Sequence, residues 1–285
     1  MAHVRYQPGL DGWQERLREL MGSSSWREDS APTPSVSITV IRSTRDGYWR
    51  VRQRGQPAQQ PFAWYHEDVL LRELEWQLYA ASAAESPAPL VVHAGAVARE
   101  GVALLLPGVS GAGKTTLTYA LAARGWRTLT DDLLPLDAAP GDPDGEMLAL
   151  PCARCGHVSP GTLDVLAEVG VALEGPIAGL VGYHRPYEWA EAAQVRYVVA
   201  TQYQVDAACA VTPLTQAETA ALLMKASFFQ RHVNYHQQWQ AAVRTAAQTR
   251  GWQLTYGRLS DAFDMIEQLT AANVGIGVTR VDGEE

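Results

Sequence analysis

An α/β fold is what this chain predicts, and three observations predict it. From residue 88 onward, apolar runs with strand character alternate with segments of helical spacing. One of those runs, residues 102–106, passes straight into the glycine-rich stretch Gly108-Val109-Ser110-Gly111-Ala112-Gly113-Lys114-Thr115, and a helical pattern over residues 115–124 follows it. Hydrophobic residues make up 47% of the 285 positions, enough for a buried core in one large domain or two small ones.

The elements follow in order. Residues 10–21 carry Leu10, Trp13, Leu17, Leu20 and Met21 on one helical face. Residues 22–35, rich in Ser and Pro, read as a loop. Residues 36–41 alternate like a half-buried strand, and residues 48–51 are its hairpin partner across a turn at Asp46-Gly47. Residues 66–84 have helical spacing through Val69, Leu70, Leu74 and Leu78, and Pro87 and Pro89 then break the chain. The break sets a boundary: a small α+β region, 1–87, precedes the main domain, 88–285. There, residues 90–98 and 102–106 are strands joined by Arg99-Glu100-Gly101. That link is too short for a parallel crossover, so the two pair as an antiparallel hairpin. Gly125 ends the helix after the glycine-rich loop, and residues 126–130 run extended into Asp131-Asp132. Residues 137–146 read as an exposed loop. Strands are expected at 195–200, 208–211 and 254–256, and helices at 214–228, 236–250 and 259–271. The last five residues, VDGEE, read as a frayed tail.

Composition excludes several classes. No run of about 18 apolar residues exists, so no membrane-spanning helix is expected. The first 20 residues lack an apolar h-region, so no signal peptide is expected. Three cysteines do not make a disulfide framework, and these features together place the chain in the cytoplasm. A net charge of −8 argues against nucleic-acid binding. The first 60 residues differ, with nine Arg against six acidic residues and Arg42, Arg45, Arg50, Arg52 and Arg54 close together. That cluster reads either as a solvated strand face or as a docking surface for an acidic segment.

The glycine-rich stretch fills G-x-x-x-x-G-K-[ST] at every fixed position, in the strand–loop–helix context the motif requires. Its glycines let successive N–H groups turn toward one phosphate chain, and the helix N-terminus adds partial positive charge. Gly108, Ser110, Gly111, Ala112, Gly113, Lys114, Thr115 and Thr116 are therefore the expected ATP contacts, with Lys114 on the β- and γ-phosphates and the Thr115 hydroxyl on Mg²⁺. The chain has only two lysines, Lys114 and Lys225, against 21 arginines, so general composition does not explain a Lys here.

Asp131-Asp132 lies at a strand end about 20 residues further on. Hard Mg²⁺ takes carboxylate oxygens, and a second carboxylate can accept the proton of an attacking hydroxyl. Asp131 is assigned as the base and Asp132 as the metal ligand, with the reverse order left open; read without the loop, the pair would be a cap or turn. His93 lies in the strand paired with the loop strand, and is either a satisfied core histidine or a group that orients the acceptor. Cys152, Cys155 and His157 are too few for a closed zinc site, so none is expected. Arg154 and Arg185 are candidate substrate contacts because a guanidinium is a bidentate phosphate ligand, and His184, Arg231 and His232 are weaker candidates.

The stretch HAGAVAREGVALLLPGVSGAGKTTLTYALAARGWRTLTDDL resembles the core of the HPr kinase/phosphorylase family and its related branch, over roughly residues 90–270 and most specifically over 93–132. The resemblance implies a phosphate-loop kinase domain of the type shared with phosphoenolpyruvate carboxykinase. It also implies His93 as the site histidine, Asp131-Asp132 as base and metal ligand, and seryl hydroxyls as acceptors, in some relatives on a lasso-type precursor peptide. Two features depart from the family pattern. Thr115-Thr116 stands where Ser–Glu is usual, and no Lys follows Arg154 in LPCARCGHVSPGTLDVL. The expected activity is therefore an ATP- and Mg²⁺-dependent kinase acting on a serine of a peptide or small protein, with self-association left open and neither nucleic acid nor membrane as partner. A small-metabolite kinase and a nucleotide-binding regulatory module with slow ATP hydrolysis remain the alternatives.

Overall fold

The computed structural model describes residues 2–6, 12–21, 36–42, 49–53, 63–64, 67–109, 111–139, 141–142, 145–177, 180–184 and 188–271. The N-terminal region contributes β1 (Ala2–Tyr6), α1 (Trp13–Met21), β2 (Val36–Arg42), β3 (Trp49–Gln53), β4 (Ala63–Trp64) and α2 (Glu67–Ala84). Its strands form one sheet in the order β1-β2-β3-β4. The expected hairpin is present, with Val40 opposite Val51 in antiparallel register. Its turn, Asp46-Gly47, and Arg45 and Arg54 lie outside the described residues. The strand that carries Arg50 is not the sheet edge there, because Arg50 also pairs with Ala63 of β4. Sequence reasoning missed β1, which pairs in parallel with β2. In α2, Leu70, Leu74 and Leu78 are buried as expected, whereas Val69 is exposed.

The remainder is mixed α/β around a central sheet. In chain order it comprises β5 (Leu90–Arg99), β6 (Val102–Pro107), α3 (Lys114–Ala122), β7 (Arg127–Thr130), β8 (Leu133–Ala138), β9 (Met147–Ala149), β10 (Gly156–His157), α4 (Pro160–Glu168), β11 (Tyr183–His184), β12 (Ala193–Tyr203), β13 (Ala210–Leu214), α5 (Gln216–Lys225), α6 (Tyr235–Gln248), β14 (Arg250–Tyr256) and α7 (Leu259–Ala271). Among the described residues the large sheet runs β13-β14-β12-β6-β5-β8-β9, with β7 also on β5 and β9 returning to pair with β12. Strands β6, β12 and β14 are mutually parallel. The hairpin β5–β6 is antiparallel and turns through Glu100 (φ 53°) and Gly101 (φ 77°). Two successive positive φ values make the tight turn whose twist matches paired strands.

Strand alternation sorts the core into two layers. Leu104 and Leu106 of β6 and Val97 of β5 pack with Leu117 and Leu121 of α3 and Leu259 and Ile266 of α7. Ala103, Leu105, Ala94 and Ala96 point the other way, toward Leu223 of α5 and Ala241 and Ala242 of α6. A fully buried leucine such as Leu104 contributes about 1.5–3 kcal/mol. Helix α3 sits directly on β5: a Cβ at Gly95 would lie 2.3 Å from the Thr118 hydroxyl. His93, two residues before Gly95, therefore shares the face that carries α3 and the glycine-rich loop.

Candidate active site

The loop between β6 and α3 needs glycine where the sequence has it. Gly111 and Gly113 have φ of 82° and 88°, values that L side chains rarely adopt. A Cβ at Gly113 would lie 2.0 Å from the Tyr256 hydroxyl. Gly113 is the N-cap of α3 and brings no side-chain cap, so the first amides of the helix are open to a ligand. Lys114 is buried, and its Nζ donates to the carbonyls of Gly108 (2.8 Å) and Val109 (2.9 Å). Burial holds its pKa below the usual lysine range, against the pull of Asp132 and Asp131. Thr115 and Thr116 are half-buried on the first turn of α3, and Ser110 lies outside the described residues.

The acidic pair owes its position to a change of partner along β5. Strand β7 pairs with residues 96–98 of β5 and β8 with residues 90–93. Asp131-Asp132 is the link between them, pinned by a hydrogen bond from the Ala94 amide to the Asp132 carbonyl (2.8 Å). This brings Asp132 beside His93, whose Nε2 lies 2.8 Å from Asp132 Oδ1. Arg154 Nη1 donates to Asp132 Oδ2 at 2.7 Å. Burial acts to raise the Asp132 carboxyl, but His93 and Arg154 outweigh it and hold it below the usual carboxylate range. Asp131 behaves oppositely. It is only 8% exposed, and its Oδ1 is buried with no hydrogen-bond partner. Burial pushes its pKa up to about 6, with Arg154 lowering and Asp132 raising it.

Behind the pair lies an ion network that sequence reasoning missed. Glu75 of α2 is buried, and its carboxylate holds Arg154 through Nε and through Nη2, the latter at 3.4 Å. The guanidinium also lies over the Tyr79 ring, 4.3 Å from its centroid. Burial works against the Arg154 charge, but Glu75 and then Asp131 override it and push its pKa further up. Arg154, a candidate substrate contact, belongs to this network. It lines the cleft, yet its donors are directed at Glu75 and Asp132, which makes it an ordering group for the acidic pair. A signal for Glu75 did exist: Leu71, Glu75 and Tyr79 recur at i, i+4 on the face that buries Leu74 and Leu78.

These groups share one cleft of about 910 Å³, lined among others by His93, Gly111, Gly113, Lys114, Thr115, Thr116, Asp131, Asp132 and Arg154. One side is helix α4, also absent from the sequence expectations. Its start is written in Ser159-Pro160: the Ser159 hydroxyl accepts from the Thr162 amide and Pro160 occupies the first turn. His157, Ser159, Gly161 and Thr162 line the cleft there, and Tyr203, Tyr256 and Arg258 line it elsewhere.

Of the weaker candidates, the described Arg231, His232 and His184 are not among the residues lining the cleft. Arg231 and His232 pair with Glu85 at 3.0 and 3.1 Å. His184 is buried, its carbonyl accepting from the Tyr119 hydroxyl, and Arg185 lies outside the described residues. The Cys155 thiol donates to the Glu19 carbonyl, while burial pushes the Cys152 thiol up to about 12. Among the described residues no group of three or more His, Cys, Asp or Glu side chains is arranged to hold a metal ion, and no helix is long and apolar enough to cross a membrane.

No protein-family model matches the chain, and no curated protein matches it. Among solved structures, the chain is similar to the Hpr(Ser) kinase/phosphatase from Coxiella burnetii at 10% identity and a TM-score of 0.32, over 64% of this chain and 98% of that one.

Proposed function

We propose that the protein is an ATP- and Mg²⁺-dependent kinase that transfers the γ-phosphoryl group to a hydroxyl, namely a serine on a peptide or small protein. One observation carries this reading: a phosphate loop with its lysine and a pair of carboxylates with opposed pKa shifts line the same cleft. Environments that drive two neighbouring titratable groups apart assign their roles. Asp131, pushed up to about 6 and with one orphaned oxygen, is suited to accept the proton of the attacking hydroxyl near neutral pH. Asp132, held ionised by His93 and Arg154, and the Thr115 hydroxyl are the residues that would hold Mg²⁺. The bound ion would neutralise phosphate charge as it builds during transfer.

In this reading Lys114 and the first amides of α3 hold the phosphates, and His93 fixes the Asp132 carboxylate. The chemistry demanded of the protein is positioning and charge neutralisation. A peptide is favoured as acceptor because the cleft continues beyond Asp131 along His157, Ser159 and Gly161. The test is incubation with γ-labelled ATP, Mg²⁺ and cell extract, followed by phosphoamino-acid analysis. Label on serine, lost on adding a chelator and in Lys114→Ala, is the expected result. ATP that is neither bound nor consumed with any acceptor would sink the reading, and label confined to a small metabolite would replace the peptide with that alternative.

A further inference from the structure

The order of strands divides the cleft into two ends. The glycine-rich loop leaves the end of β6, with β5 on one side and β12 on the other. The β5 side carries His93 and, through the β7–β8 link, Asp131 and Asp132. The β12 side carries none of these. Because β6, β12 and β14 are parallel, β12 and β14 end at the same edge as the loop, in Tyr203 and Tyr256, which stand in register with each other. Their rings lie 5.7 Å apart. The buried Tyr256 sets its hydroxyl under Gly113, while Tyr203 remains 46% exposed in the cleft. Two residues beyond Tyr256, Arg258 is exposed and lines the same end, and no described residue pairs with its guanidinium. Helix α4 and its C-cap add Val165, Glu168 and Val169 to the lining of the cleft.

We infer that the β12–β14 end is a nucleoside half-site, in which the Tyr203 ring and the Arg258 guanidinium hold the base of the nucleotide whose phosphates lie on the loop. The inference rests on the nucleotide reading given under Proposed function, and deepens it. A phosphate chain held by Lys114 with its reacting end toward Asp131 and Asp132 must send its nucleoside away from β5, over β12 and β14. What waits there is an exposed aromatic face and a planar cation, the two side-chain types on which bases stack. Holding a base needs nothing from the acidic pair, so the half-site contributes to affinity and not to the chemical step.

Calorimetric titration separates this half-site from the phosphate loop. The probes are ATP and inorganic tripolyphosphate, both with Mg²⁺, and the proteins are wild type, Tyr203→Ala, Tyr203→Phe, Arg258→Ala and Lys114→Ala. Stacking on a base is worth about 1–3 kcal/mol, so Tyr203→Ala should weaken ATP binding by about 5- to 150-fold. Arg258→Ala should act in the same direction. Neither should change tripolyphosphate binding by more than about twofold, because that probe carries no base. Tyr203→Phe, which keeps the ring, should bind ATP like wild type, and Lys114→Ala should lose both probes. Unchanged ATP affinity in Tyr203→Ala, or equal losses for both probes, overturns the half-site while leaving the phosphate loop intact. A wild-type protein that binds neither probe overturns the nucleotide reading itself, and the half-site with it. Tyr203 is partly exposed, so the alanine variant should melt within a few degrees of wild type, which excludes unfolding as the cause of a loss.

Discussion

Replacing Asp131 by Asn should cost activity and change the pH dependence of stability, and the second effect follows from the structure alone. Burial pushes the Asp131 carboxyl up to about 6 from its ordinary 3.8, so the native state binds this proton more tightly than the unfolded chain does. The stabilisation from protonation is fully present below the unfolded pKa and is lost as pH rises through about 6. A shift of about two units amounts to about 3 kcal/mol in total. Integrated between pH 5 and pH 8, it leaves about 1.4 kcal/mol that wild type loses and Asp131→Asn does not. Urea unfolding of both metal-free proteins at the two pH values gives the comparison. Groups remote from residue 131 contribute equally to both proteins and drop out of the difference. The variant should gain on wild type by about 1.4 kcal/mol between pH 5 and pH 8. Its turnover should fall about 10²–10⁴-fold, since an amide accepts no proton, while wild-type turnover should rise with pH through about 6. Parallel unfolding curves at the two pH values would refute the account of Asp131 as a desolvated carboxyl.

Three further outcomes are expected. Lys114→Ala should abolish phosphoryl transfer with little change in melting temperature, whereas Gly113→Ala should lose nucleotide binding and also destabilise, because its Cβ would meet the Tyr256 hydroxyl at a φ of 88°; thermal melts with and without ATP separate the two. Glu75→Ala should destabilise in urea unfolding and lower turnover, because it leaves the Arg154 guanidinium with Asp132 as its remaining carboxylate partner among the described residues. Metal analysis of the purified protein should find no stoichiometric zinc, since the Cys155 thiol is engaged by the Glu19 carbonyl and burial keeps the Cys152 thiol protonated.

What could be read in the sequence was what local spacing encodes. The loop from Gly108 to Thr115 is contiguous, and the constraints that make it work, positive φ and bare amides, act on neighbouring residues. The hairpin β5–β6 was legible because a two-residue turn leaves one pairing geometry. Helix α4 was legible in principle from Ser159-Pro160, a capping serine followed by a first-turn proline. The partners of the acidic pair were another matter. Sequence reasoning assigns Asp131 as base and Asp132 as metal ligand with the reverse order left open, because nothing in the local spacing tells two adjacent carboxylates apart. What separates them is burial and the reach of His93, Arg154 and Glu75, and Glu75 comes from 56 residues earlier in the chain.

That reach bears on the region before Pro87. The proline break is a local signal that ends α2, and it says nothing about which side chains cross it. Glu75 crosses it to hold Arg154, and the Cys155 amide crosses in the other direction to donate to the Leu20 carbonyl of α1 at 2.7 Å. Arg154 is the only described arginine or lysine paired with Asp132. If Arg154 is withdrawn, His93 alone is left to keep Asp132 ionised against burial, which favours protonation. Helix α2, through Glu75, thus helps to hold the guanidinium that keeps Asp132 ionised, whatever part the arginines of β2 and β3 have in choosing an acceptor.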